Sequence, residues 1–139
     1  MKKNEVGFPL TEALVFDIVD YLLDKGGYAF SNEISYHIVD ANPRRYTSRE
    51  VVGILRNRPM FQHAQNSDRR SGIKWRLNLI SLEDYLNQKG YNDRAENRGF
   101  YERGRDLKEE HINKTAEIVR KLGSGEVEDI YEELSMIWV

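Results

Sequence analysis

Hydrophobic positions first fall into helical register at residues 11–25, TEALVFDIVDYLLDK, where Leu14, Val15, Ile18, Val19 and Leu22 make one wide stripe. Thr11 is placed to cap this helix, and Gly26-Gly27 supply residues that tolerate a left-handed stop. Asp17, Asp20 and Asp24 recur at i, i+3 and i+7 on the other side. A row of acids has the composition of a cation site, but no other ligand chemistry lies nearby. The row therefore reads as a solvated face. The short YAF at 28–30 suits a bridging strand. Ser31 then caps a second helix, SNEISYHIVD, with Ile34, Ile38 and Val39 inward. Pro43 in ANPRRY bars its continuation. A third helix opens at Thr47, which forms a T-x-x-E capping box with Glu50, and it ends near Arg58 because Pro59 cannot extend it.

Beyond Pro59 the hydrophobic period shortens from 3.6 residues to 2. MFQHAQ reads as a strand, NSDRRSG (66–72) as a polar turn, and IKWRLNL as a second strand. In that second strand Ile73, Trp75, Leu77 and Leu79 point one way, and Lys74, Arg76 and Asn78 the other. Ser81 begins another helix, SLEDYLNQKG. YNDRAENRGFYERGR (91–105) loses apolar periodicity and carries two glycines, so it reads as a linker. Helical spacing returns over 106–122 through Leu107, Ile112, Ala116, Val119 and Leu122. Gly123-Ser124-Gly125 makes a turn, and the last segment aligns Val127, Ile130, Tyr131, Leu134, Ile137 and Trp138. A C-terminal helical hairpin is expected. The organisation that follows is a first domain over 1–80, a helix and linker over 81–105, and the hairpin over 106–139.

A chain of 139 residues suggests one domain, or one with an appendage. At 40% hydrophobic and 32% charged it is globular in type, neither disordered nor membranous. No run approaches the roughly 18 apolar residues of a membrane span. The opening MKKNEVGFPL lacks the apolar stretch of a signal peptide. The absence of cysteine rules out disulfides and thiolate zinc sites and fits a reducing interior. A cytoplasmic protein is expected, with association to the nucleoid left open.

The net charge of −2 conceals a division. Residues 44–76 hold nine basic groups against Glu50 and Asp68, a net of +7, whereas 122–139 hold five acids and no base. Catalytic patterns are missing. His37, His63 and His111 stand far apart, without H-x-x-x-H or H-E-x-x-H spacing, and the acids beside His111 in EEHINK fit a helix face. There is no phosphate-binding glycine loop and no G-x-S-x-G elbow. The chain is expected not to be an enzyme, with no catalytic residue, metal ligand or cofactor to assign.

The order of elements over residues 10–80 (helix, short strand, helix, turn, helix, hairpin) resembles the winged helix-turn-helix superfamily. The expected fold is mainly α with a small β-hairpin wing, followed by the C-terminal helical hairpin. The resemblance implies that the third helix enters the major groove of double-stranded DNA and that the wing touches the neighbouring backbone or minor groove. Spacing on that helix buries Val51, Val52, Ile54 and Leu55 and puts Arg49, Glu50, Gly53, Arg56 and Asn57 on the opposite crest. Carried over to this chain, Arg49, Arg56 and Asn57 would read base edges. Arg44, Arg45 and Ser48 would hold phosphates. Arg69 and Arg70 at the wing tip, with Lys74 and Arg76 on the outward strand face, would extend that grip. The exposed Gly53 admits two explanations, close approach of another backbone or drift. Helix two, with Glu33 and Asp40 and no base, fits DNA less well.

Two functions follow as expectations. One is a DNA-binding protein, most simply a transcriptional regulator. The other is a protein-docking winged-helix module that modulates or inhibits a nucleic-acid-processing complex, its acidic C-terminal face (Glu126, Glu128, Asp129, Glu132, Glu133) standing in for phosphates. The C-terminal apolar stripe is expected to pair with a second copy, giving a homodimer with two half-sites. Folding back on the body and docking onto another protein are its alternatives.

Overall fold

The computed structural model describes residues 7–64 and 72–124. Helix α1 (Leu10–Asp24) starts directly after Pro9, whose carbonyl accepts the amides of Glu12 and Ala13 at 3.0 Å each. No side chain caps it, so Thr11 lies inside the first turn instead of serving as the cap. The chain reverses at Gly26 and Gly27, with φ of 78° and 95°, and the Gly27 amide returns to the Leu22 carbonyl at 2.7 Å. These angles strongly favour glycine. A methyl group at Gly27 would also stand 3.1 Å from Leu107, so the turn lets the helix that carries Leu107 come close.

Strand β1 (Tyr28–Phe30) leads straight into α2 (Ser31–Ala41). Glu33 reaches back to the Phe30 amide at 2.8 Å and satisfies one of the donors a helix start leaves over. Ser31 has a different task from the capping role its position suggests. Its hydroxyl accepts the Ile73 amide at 3.2 Å, and its own amide donates to the Ile73 carbonyl at 2.8 Å. The start of α2 is thereby tied to the residue that leads into the KWRL strand. Helix α3 (Ser48–Asn57) opens with the expected capping box, the Glu50 amide meeting Thr47 Oγ1 at 3.2 Å and the Thr47 amide meeting Glu50 Oε1 at 2.9 Å.

Strands β2 (Phe61–His63) and β3 (Lys74–Leu77) complete an antiparallel sheet of order β1-β3-β2. Trp75 lies opposite both Ala29 and His63, and Leu77 opposite Phe61. The period-2 alternation holds over Lys74–Leu77, whereas Asn78 and Leu79, expected in the same strand, cap and open the next helix. Trp75 and Leu77 are buried, while Lys74 and Arg76 leave the other face. Helix α4 (Leu79–Lys89) begins two residues ahead of Ser81, because Asn78 caps it by accepting the Ser81 amide at 3.0 Å.

Residues 91–105 are not a linker. They form α5 (Asn92–Asn97) and the first turns of α6 (Phe100–Ser124). Ala95 and Phe100 are buried there, and Phe16 lies 5.1 Å from the Phe100 ring and 5.9 Å from Tyr91. Arg98 pairs with Asp17 at 3.3 Å and with Asp20 at 3.1 Å, and Arg103 pairs with Asp20 and Asp24. The acidic row on α1 is thus a docking edge for two arginines instead of a plain solvated face. Helix α6 starts six residues earlier than the periodicity from 106 implies, and it runs through Gly123 and Ser124, which the sequence puts in a turn. Its buried side is also rotated. Phe100, Leu107 and Ile118 are buried, whereas Ala116 is exposed and Ile112 and Val119 are each 59% exposed. Residues 125–139, with the second helix of the expected hairpin, lie outside the described residues.

The described chain is mainly helical with one small sheet, and a single apolar cluster unites it. Leu14, Ile18, Ile34, Val51, Leu55, Trp75, Leu86, Phe100 and Leu107 all belong to that cluster. Each fully buried aliphatic side chain is worth about 1.5–3 kcal/mol of transfer free energy.

Candidate nucleic-acid interface

The α3 surface follows from its heptad-like spacing. Val51, Ile54 and Leu55 face the core, Val52 and Gly53 are half-buried, and Ser48, Arg49, Glu50, Arg56 and Asn57 are exposed. Arg44 and Arg45 are exposed in the preceding turn, where the Arg45 guanidinium lies 5.6 Å over the ring of buried Tyr46. Glu50 is the sole acid on α3, and the capping box disposes of it. Its Oε1 takes the Thr47 amide and the Thr47 hydroxyl, the latter at 3.1 Å, so the carboxylate is drawn to the start of the helix. Among the described residues, Arg44, Arg49 and Arg56 have no acidic partner. A methyl group built on Gly53 would meet nothing within 4 Å. The described residues therefore give no packing reason for glycine at that position.

Arg58, counted among the nine central bases, points elsewhere. Its Nε donates to the Tyr85 hydroxyl at 3.2 Å, and Tyr85 in turn donates to Glu12. Glu12 is only 5% exposed, and Lys89 approaches it at 3.8 Å. Burial first, and then the bond to Glu12, push the Tyr85 hydroxyl up to about 12. Apolar periodicity gives no sign of this network. The available signal was Glu12 itself, an acid in line with Val15, Phe16 and Val19 on the apolar side of α1.

Lys74 and Arg76 stand half-buried on the outer face of β3. The Lys74 ammonium lies 5.4 Å from the Tyr28 ring and 5.8 Å from Phe30. Arg76 Nη2 donates to Gln62 Oε1 at 2.6 Å, an oxygen that also accepts from Asn78 at 3.2 Å. Arg69 and Arg70 lie outside the described residues. Arg44, Arg45, Ser48, Arg49, Arg56 and Asn57 therefore cluster on α3 and its leading turn. Lys74 and Arg76 leave the molecule by another face, because Trp75 and Leu77 on the reverse of β3 share the core with Val51, Ile54 and Leu55.

On α2, Glu33 is less of an obstacle to an anionic partner than its position in the sequence implies. Its carboxylate is engaged by the Phe30 amide and by the Tyr21 hydroxyl at 3.0 Å. Burial, helped by Glu33, pushes Tyr21 up to about 12. Tyr36, 74% exposed, presents a hydroxyl on this helix.

Among the described residues, no group of three or more histidine or carboxylate side chains is placed to hold a metal ion, and no helix is long and apolar enough to cross a membrane. Comparison with protein-family models, with curated proteins and with solved structures found no match.

Proposed function

We propose that this chain is a winged-helix protein that binds double-stranded DNA and acts as a transcriptional regulator, with α3 as its reading helix. The observation that carries this reading is the isolation of positive charge on the α3 crest. Glu50 is withdrawn into the capping box, while Arg44, Arg45, Arg49 and Arg56 stand exposed around it. A guanidinium matches the acceptor pair of guanine, and the Asn57 amide matches adenine. Arg44, Arg45 and Ser48 supply phosphate contacts at the head of the helix. Lys74 and Arg76 are secondary in this scheme, since both already engage groups of their own sheet.

Homodimerisation through the C-terminal region belongs to the same proposal. Ile112, Ala116 and Val119, which the spacing aligns in one stripe, are exposed on α6 and suit a partner helix. Light scattering should give twice the 16.3 kDa chain mass, and Val119→Asp should halve it.

The deciding experiment titrates labelled duplex DNA at two salt concentrations, with an Arg49→Ala/Arg56→Ala double variant alongside. Binding should weaken steeply with salt, because each neutralised phosphate releases counterions. The double variant should lose at least about tenfold in affinity. Salt-insensitive or absent binding by the natural chain would defeat the DNA reading and favour protein docking.

A further inference from the structure

A groove of about 310 Å³ runs between the outer face of the sheet and α6. Its floor and walls are mostly apolar, with Leu77, Leu79, Ile80, Leu107 and Ile112 contributing. One end is different. Arg76 and His111 stand there beside Tyr28, whose ring lies 6.2 Å from that of His111, and no carboxylate lines the groove among the described residues. Tyr28 and Arg76 are direct cross-strand partners on β1 and β3. The Tyr28 hydroxyl and Arg76 Nε are both withdrawn from solvent without a hydrogen-bond partner among the described residues. Leaving such a donor unmade costs roughly 1–3 kcal/mol, so an acceptor that reaches them is favoured.

We infer that this groove is a binding site for an apolar monocarboxylate, with its charged head at Arg76 and Tyr28 and its tail against Leu107 and Ile80. The chemistry commits the choice. Apolar lining takes a hydrocarbon chain, and a pocket near 300 Å³ lies at the small end of ligand sites. The Arg76 guanidinium, with no carboxylate among the residues lining the groove, selects an anion over an alcohol or an amine. Gln62 fixes one side of the Arg76 guanidinium at 2.6 Å, so the head meets a pre-oriented partner. Ile80 is 71% exposed at the groove edge, an expensive position for a large aliphatic side chain unless something apolar covers it.

Calorimetric titration of the full chain, without DNA, tests this directly and independently of the DNA reading. Octanoate is the probe, with octan-1-ol and octylamine as the neutral and cationic controls. Octanoate should bind with a dissociation constant on the order of 100 µM, and both controls at least about tenfold more weakly. Arg76→Gln should weaken octanoate at least about tenfold. Ile80→Asp, at an exposed position that leaves folding alone, should weaken it comparably, and Tyr28→Phe by a smaller factor. Octanol binding as tightly as octanoate would overturn the proposal. So would an absence of heat with octanoate at millimolar concentration, or wild-type affinity in Ile80→Asp.

Discussion

Arg103 at the start of α6 holds Asp24 at the end of α1 at 2.9 Å, across 79 residues of sequence. The same guanidinium takes Asp20, and Arg98 adds Asp17 and Asp20, so three acids and two arginines clamp α6 onto α1. Both arginines also stack near Phe100, each 5.7 Å from its ring. Exposed pairs are individually weak, but networks with arginine forks add up. Arg98→Ala/Arg103→Ala should lower unfolding free energy by about 1–2 kcal/mol in dilute buffer, and by less in 1 M salt. Urea midpoints in the two buffers check it, and equal midpoints for variant and natural chain would show the clamp to be ornamental.

Tyr85 links Arg58 to the buried Glu12. Tyr85→Phe leaves that carboxylate without its hydroxyl donor and should cost about 1–3 kcal/mol. The pH dependence has a definite sign. Tyr85 and Tyr21 titrate near 10 when unfolded and near 12 when folded, so the native state holds its phenolic protons more tightly. Their contribution is complete below pH 10 and disappears as pH rises from 10 to 12. Denaturant midpoints across that window should fall for the natural chain and fall less steeply for Tyr85→Phe.

Gly72, with φ of 89°, sits so close to Ser31 that an added methyl carbon would lie 2.2 Å from the Ser31 hydroxyl oxygen. Gly72→Ala combines left-handed strain with displacement of the tie between α2 and Ile73, and should destabilise by about 2 kcal/mol. Amide exchange at Ile73, whose N–H donates to Ser31, reports the local effect. Unchanged protection there would contradict the steric account.

Gly53 makes the opposite case. The chain leaves room for a methyl group, so Gly53→Ala should stabilise by about 1 kcal/mol through helix propensity. If α3 lies against a duplex, the added carbon meets that backbone and affinity should drop severalfold. Higher stability with full DNA affinity would place the closest approach somewhere other than mid-helix.

How much of this was legible beforehand depended on whether a residue's partner lay nearby in sequence. Thr47 and Glu50 cap α3 within three residues, and the alternation around Trp75 needs only a period of 2, so both were readable. The core-facing side of α1 was equally plain. The segment 91–105 has the sequence pattern of a linker because it is held by Arg98 and Arg103 against acids some eighty residues away, and apolar periodicity carries no trace of such pairing. A complementary signal existed: an i, i+3, i+7 row of aspartates and a glycine-flanked pair of arginines, each unexplained alone. On α6, Ile112 and Val119 follow helical spacing as faithfully as Leu107 does, and spacing alone does not say which of two stripes meets the core. Of the candidate site, the exposed arginines of α3 were visible from the wheel. The withdrawal of Arg58 and the engagement of Arg76 by Gln62 required coordinates.

Among the described strands, the central one is the last to appear in the sequence. Both β1 and β2 pair with β3 and not with each other, so neither has a neighbour until residues 74–77 are present. On the ribosome, α1, α2 and α3 emerge as helices without a sheet to rest on, and closure waits for a strand 46 residues beyond the first one. A nascent fragment that stops short of Leu77 carries Ala29 and Phe61 with nothing to cover them, which makes premature release of this protein a source of sticky, degradable pieces.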